Sequence, residues 1–357
     1  MKFSELPAIT DGRLVQLHDD RPITHLLTDS RKVVVHPGAV FFAIAGERHD
    51  GHQHLEEVYA RGVTQFVVER PVPAGQLGQS NVLMVKSAVK ALQQMAARHR
   101  QQFQIPVLGI TGSNGKTILK EWLNDLLGDE YAIVKNPGSY NSQIGVPLSV
   151  WQMQSYHQLG IFEAGISIPG EMQALEHIIR PTLGVFTTIG TAHDENFLSR
   201  KQKIEEKLKL FSHVNVLLYC ADQAEVHEAV RASGIPALSW GRHEEAAIRT
   251  TRQHKGHQIS TGSVRFNLTF PFTDKANEEN ALHAVAVMVH LGYPPQVIQQ
   301  RIQALKPVAM RLELKSGINQ CQVIDDSYNN DFGGLQISLD FLAHQHQRKN
   351  KTLILSD

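Results

Sequence analysis

Gly109-Ile110-Thr111-Gly112-Ser113-Asn114-Gly115-Lys116-Thr117 stands between an apolar strand-like run at 107–110 and an amphipathic helical stretch at 117–127. A glycine-rich turn in that context lets backbone N–H groups approach phosphate oxygens, at the end of a helix where the peptide dipoles favour an anion. Lys116 adds a point charge for the terminal phosphates, and the Thr117 hydroxyl suits Mg²⁺. The pattern is Gly-x-x-Gly-Lys-Thr, with Ile110 where the usual Walker spacing has its first glycine. An ordinary strand-to-helix turn is the plainer reading, but it leaves the Gly-Lys-Thr and both flanks unexplained.

Outward from this loop, strand and helix patterns alternate. A strand at 159–163 precedes a helix at 170–179, a strand at 183–187, a helix at 199–211 and a strand at 214–220. Such alternation predicts an α/β fold with a doubly wound, mostly parallel sheet. The polar, His-rich stretch 241–274, with short alternating strands, reads as the far edge of the same domain and leads into a helix at 277–291. Ahead of the loop, β-rich runs at 33–35, 40–45, 65–68 and 82–85 and a helical stretch at 54–61 predict a small α/β domain. A helix at 86–102, with Ala88, Leu92, Met95 and Ala96 on one stripe, closes it. Beyond Pro307 come a strand at 322–326, a helix at 334–344 and a strand at 352–356. One βαβ unit cannot cover both faces of a parallel sheet, so this part reads as the start of a truncated Rossmann-like domain. Three domains are therefore expected, at 1–102, 103–306 and 307–357.

The 35 lysines and arginines balance 35 aspartates and glutamates. No global field draws the chain to nucleic acid or an anionic membrane, so any anion must be held by local groups. Cys220 and Cys321 have no close partner in sequence, which fits a reducing compartment and excludes a cysteine-rich zinc site. No apolar run approaches the roughly 18–20 residues that span a bilayer, and the first residues lack the order of a signal peptide. The expectation is a cytoplasmic protein.

The segment from Thr111 to Thr117 resembles the nucleotide loop of the Mur ligases, whose central domain is similar to that of folylpolyglutamate synthetases. Further matches follow in family order: Thr28-Asp29-Ser30-Arg31, Pro37-Gly38, Asp50-Gly51-His52, Glu163-Ala164-Gly165, Ile189-Gly190-Thr191-Ala192-His193, Asn277-x-x-Asn280-Ala281-Leu282 and Arg311-Leu312-Glu313. The stretches Asn141-Ser142-Gln143-Ile144-Gly145-Val146-Pro147-Leu148 and Asp325-Asp326-Ser327-Tyr328-Asn329-Asn330 are similar to the branch that adds D-alanyl-D-alanine. Departures are Ile166-Ser167-Ile168 after the Glu-x-Gly, and Asn330-Asp331 without the proline usual there.

The resemblance implies a three-domain ligase with a central P-loop sheet. It would join D-alanyl-D-alanine to a UDP-N-acetylmuramoyl-tripeptide using ATP and two Mg²⁺ ions, through an acyl phosphate. It implies a monomer, and in some relatives a fused alanine racemase follows the ligase. ATP would lie on Gly112, Ser113, Asn114, Gly115, Lys116 and Thr117, with Asn277 and Asn280 at the adenine and Arg311 and Asp326 at phosphate and ribose. Thr117, Glu163 and His193 would hold metal, Lys116, His193 and Lys207 would carry the chemistry, and Lys207 would be carbamylated. Ser30 and Arg31 would hold the UDP part, with Asn141 and Ser142 also on substrate.

On residue type alone each position has a plainer reading. Glu163 suits a solvated turn or a helix cap, and His193 is one of 19 histidines, most of which must be bystanders. Lys207 lies in a Lys/Glu-rich helix whose charges suit a solvated face, Asn277 suits an N-cap, and Asp29 suits a turn cap. Arg311 and Asp326 would serve equally in surface ion pairs.

Overall fold

The computed structural model describes the chain except residues 34–35, 47–48, 74, 191–193, 255, 273, 310, 312, 318–320, 328–331, 344–350 and 356–357. The first elements are α1 (Leu6–Thr10), β1 (Arg13–Gln16), β2 (His25–Leu27), β3 (Ala39–Phe42), α2 (Leu55–Ala60), β4 (Gln65–Val68), β5 (Asn81–Met84) and α3 (Ala88–Arg100). Then follow β6 (Val107–Thr111), α4 (Lys116–Leu127), β7 (Ile133–Lys135), α5 (Gly145–Val150), β8 (Leu159–Glu163), α6 (Glu171–Ile179), β9 (Leu183–Phe186), α7 (Arg200–Leu208), β10 (Val216–Cys220) and α8 (Ala224–Ser233). The last are β11 (Ala237–Gly241), β12 (Ile248–Arg252), β13 (His257–Thr261), β14 (Val264–Leu268), α9 (Lys275–His290), α10 (Pro295–Gln303), β15 (Glu313–Ser316), β16 (Gln322–Asp325) and α11 (Phe332–Ala343). The chain divides into two compact units. One comprises Met1–Ile105, Val134–His157 and His177–Ile179; the other comprises Pro106–Ile133, Gln158–Glu176 and Arg180–Asp357.

The first unit carries a five-stranded sheet in the order β1-β5-β4-β3-β2, parallel except for β1, which runs antiparallel to β5. Every residue of β3 and β4 is buried, because both faces of a parallel sheet are covered. Val40, Phe42 and Val67 pack with Leu92 and Met95 of α3 in one core, and Phe41 and Phe66 pack with Leu55 and Val58 of α2 in the other. Trp151, just after α5, joins the α3 core, and its indole N–H donates to the Thr24 carbonyl at 3.0 Å. Residues 136–157, which follow β7 and precede β8 in sequence, thus belong to this unit.

The second unit carries nine strands in the order β14-β13-β12-β11-β10-β9-β6-β8-β7. The pairings of β8, β6, β9, β10, β11 and β12 are parallel, while β12, β13 and β14 form an antiparallel edge. The fold is α/β with a mostly parallel central sheet, and the stretch 241–274 is its far edge, as its composition suggests. Leu119, Trp122 and Leu123 of α4 and Ala281, Val285 and Met288 of α9 share its main core, where Trp122 stacks on Phe272 with ring centroids 4.7 Å apart.

One expected strand does not form. Residues 351–355 are not a strand, and residue 356 lies outside the described residues. An isolated strand leaves its backbone polar groups unpaired, and none of the described strands pairs with 351–355. Instead of a βαβ unit, β15 and β16 make an antiparallel hairpin followed by α11. At 33–35, Val33 is extended but unpaired, 34–35 lie outside the described residues, and the place beside β3 is taken by β2. Strands β1, β2, β7, β11 and β15 and helices α1, α5, α8 and α10 lie where the sequence pattern sets no expectation. Among the described residues no helix is long and apolar enough to cross a membrane.

Candidate functional site

The phosphate loop leaves β6 and enters α4 through two glycines whose positive φ and close neighbours disfavour any side chain. Gly112 has φ +147°, and a Cβ there would lie 2.0 Å from Thr187 Oγ1. Gly115, at φ +83°, precedes the first turn of α4, and its Cβ would lie 2.1 Å from Asn280 Oδ1. The loop is braced from the end of β9: Ser113 N–H donates to the Thr188 carbonyl at 2.7 Å, and the Thr187 hydroxyl donates to the Asn114 carbonyl at 2.8 Å. The Ser113 hydroxyl donates to the Gly190 carbonyl at 3.3 Å. Lys116 arches over the loop, its ammonium on the carbonyls of Gly112 at 3.0 Å and Ser113 at 2.8 Å.

Glu163 ends β8 and is in register with Ile110 of β6, so carboxylate and loop emerge at one sheet edge. Open α/β sheets bind ligands at this carboxyl edge. The Glu163 side chain is buried, and the Thr117 hydroxyl donates to its Oε1 at 3.3 Å. Burial raises the Glu163 pKa, while the charges of Lys120 and Lys116, the Thr117 hydrogen bond and Arg311 act to lower it. Among the described residues no three His, Cys, Asp or Glu side chains gather as a metal cage. A hydroxyl beside one carboxylate nevertheless fits Mg²⁺, which keeps waters and takes its other ligands from phosphate. His193, with Thr191 and Ala192, lies outside the described residues.

Lys207 is not on a solvated face. It is buried on α7, and its ammonium donates to the Gly112 carbonyl at 3.0 Å. Burial first, and then the charges of Lys116 and Lys203, push its pKa well below the ordinary lysine value. Burial and two neighbouring cations thus act against the charged form of Lys207.

Asn280 packs against Gly115 and is buried, as is Asn277 one turn earlier on α9. Asn277 is not the cap of that helix. Asp274 is, accepting from Asn277 N–H at 2.8 Å and from its side-chain amide at 3.0 Å. The Arg311 charge reaches Glu163, whereas Asp326 accepts from the Ser338 hydroxyl at 2.5 Å, beside the C-terminal hairpin.

In the first unit, the loop after β2 forms a short 3-10 helix, Ser30–Lys32, capped by Asp29. Asp29 accepts from Arg31 N–H and also pairs with its guanidinium through two contacts of 2.9 Å, which holds the carboxylate down at about 2. Ser30 is buried while the Arg31 side chain is largely exposed. Ser142 accepts from Gly145 N–H at 3.1 Å at the start of α5, and Asn141 precedes it in the same unit.

Two buried cations, Lys120 and Lys203, stand outside the expected set; each lies one helical turn from Lys116 or Lys207, and that spacing is the signal for them in the sequence. Glu279, also outside that set, accepts from the Thr188 hydroxyl at 3.2 Å and the Gln223 amide at 2.9 Å and so supports the strand end that braces the loop.

The profile of the Mur ligase middle domain matches residues 110–288, and that of the Mur ligase family catalytic domain matches 22–100. A UDP-N-acetylmuramoyl-tripeptide–D-alanyl-D-alanine ligase of Bacillus subtilis is 29% identical over 351 residues, covering 97% of this chain and 76% of that protein. The crystal structure of MurF from Acinetobacter baumannii superposes with a TM-score of 0.82 at 27% identity, over 96% of this chain and 76% of that one. The MurF ligase of Thermotoga maritima, solved in complex with ADP, gives 0.76 at 25% identity, over 89% and 74%.

Proposed function

The chain belongs to the Mur ligase family, and we propose that it joins D-alanyl-D-alanine to UDP-N-acetylmuramoyl-tripeptide with ATP, giving the pentapeptide, ADP and phosphate for peptidoglycan synthesis. The observation that carries this reading is one sheet edge where a phosphate loop, a buried carboxylate and a buried low-pKa lysine meet, in a chain similar along nearly its whole length to ligases of that specificity. The nucleotide supplies a phosphoryl group that activates the tripeptide carboxylate as an acyl phosphate, and Mg²⁺ offsets the charge of its phosphates.

The residues have positional and electrostatic tasks. Backbone N–H groups from Gly112 to Gly115 hold phosphate oxygens, and Lys116 moves its ammonium from loop carbonyls to the terminal phosphates. Thr117 and Glu163 hold the cation, with His193 assigned to the same set. Asn277 and Asn280 hold the base, and Arg311 and Asp326 hold phosphate and ribose. Ser30, Arg31, Asn141 and Ser142 bind the UDP-muramoyl substrate in the first unit, where Arg31 exchanges Asp29 for phosphate.

Lys207 works as a carbamate. Its neutral amine attacks CO₂, a C–N bond forms, one C=O electron pair becomes a carboxylate oxygen, and the N–H proton leaves to water. An anion then stands beside the charges of Lys116 and Lys203. No serine or cysteine nucleophile is needed, because positioning and charge stabilisation suffice for such a transfer.

ADP release measured with both peptides tests the reading. It should require both the UDP-muramoyl-tripeptide and D-alanyl-D-alanine, and Lys116→Ala should abolish it while UDP-substrate affinity stays within a few-fold. Release with another amino acid in place of the dipeptide would redirect the assignment to a different amide ligase.

A further inference from the structure

Helix α7 reads backbone carbonyls with three basic residues of one face. Arg200 donates to the Ile189 carbonyl at 3.2 Å, Lys203 to the Gly190 carbonyl at 2.7 Å, and Lys207 to the Gly112 carbonyl at 3.0 Å. Steps of three and four residues keep them on that face. Lys203 stands in the middle, its side chain only 1% exposed, and it also pairs with Asp194 at 2.6 Å. A lysine is buried this far only when its charge is met by such partners. The Gly190 carbonyl accepts the Ser113 hydroxyl as well, at 3.3 Å. One oxygen thus joins Lys203, the segment after β9 and the phosphate loop.

We propose that Lys203 is a positioning residue for the nucleotide site, holding the Gly190 carbonyl, and through it Ser113, in the arrangement the phosphates meet. The inference rests on the reading that this loop binds a magnesium nucleotide. Lys203 touches no phosphate itself; it acts by sparing the loop the ordering that binding would otherwise require. An Arg at this position keeps the charge but spreads its donors over a wider fork, so it should restore part of the effect.

The test is calorimetric titration of Mg·ADP into wild type, Lys203→Met, Lys203→Arg and Asp194→Asn, each checked for its fold by circular dichroism. Lys203→Met should weaken Mg·ADP by about tenfold or more and Lys203→Arg by less, with affinity for the UDP-muramoyl substrate unchanged. A folded Lys203→Met protein that binds Mg·ADP within about twofold of wild type would overturn the proposal. If that variant does not fold, Asp194→Asn decides, since it keeps the lysine and removes only its carboxylate: a weakening of about threefold supports the proposal and unchanged affinity overturns it. Binding is read without ligation. A wild type that binds Mg·ADP and fails to ligate counts against the proposed function alone, whereas one that binds no Mg·ADP removes the site and this inference together.

Discussion

Gly115 and Gly170 have nearly the same backbone, at φ +83° and +92°, but only Gly115 has a neighbour in the space of a side chain. Replacing either by Ala strains the backbone by about 1 kcal/mol. Gly115→Ala should additionally push Asn280 off the loop and weaken Mg·ADP by about tenfold or more, whereas Gly170→Ala should leave nucleotide affinity intact. Paired denaturant melts and Mg·ADP titrations would show it, and equal effects on binding would contradict the account. Lys207 offers a sharper contrast. Lys207→Ala should slow single-turnover acyl-phosphate formation by about a hundredfold or more, and added acetate should restore part of the rate by placing a carboxylate where the carbamate stood. A mutant near wild-type rate would end the carbamate assignment.

At the scale of elements, the buried contacts of α9 and α5 make two predictions. His283 on α9 accepts from the Trp240 indole at 3.0 Å, and burial pushes its pKa from 6.5 down to about 3. Below pH 6.5 the unfolded chain takes up a proton there and the folded chain does not, so stability should fall as pH drops from 6.5 towards 3 and be free of this effect above 6.5. Urea melts across that range should show His283→Asn losing about one proton's worth of slope, roughly 1.4 kcal/mol per pH unit. An unchanged slope would mean the imidazole is charged in the fold. Trp151, after α5, is buried against the α3 core. Trp151→Ala should cost about 3–5 kcal/mol in the first unit and weaken the UDP-muramoyl substrate, with Mg·ADP affinity retained. Loss of Mg·ADP binding as the first effect would place 136–157 with the other unit.

For the whole molecule, what was legible followed from locality. The Gly-Lys-Thr loop, the alternation that makes a parallel sheet and Glu163 at a strand end are carried by contiguous residues, and periodicity alone reaches them. Asn280 against Gly115 and Lys203 on the Gly190 carbonyl join distant parts of the chain, so residue type gave no hint of the partner. The same reason hid the allegiance of 136–157: Ile144, Leu148 and Trp151 mark an apolar face without naming the core it enters. The strand expected at 352–356 failed for the converse reason, since an apolar run becomes a strand only where a neighbour pairs with it. The central claim is that this fold activates a carboxylate with ATP before the amide bond forms. The most direct test labels both oxygens of the tripeptide's terminal carboxylate with ¹⁸O and follows the label by mass spectrometry of product and released phosphate. The account predicts that each new amide bond leaves one ¹⁸O in the pentapeptide carbonyl and sends the other into phosphate; phosphate released without label would contradict it.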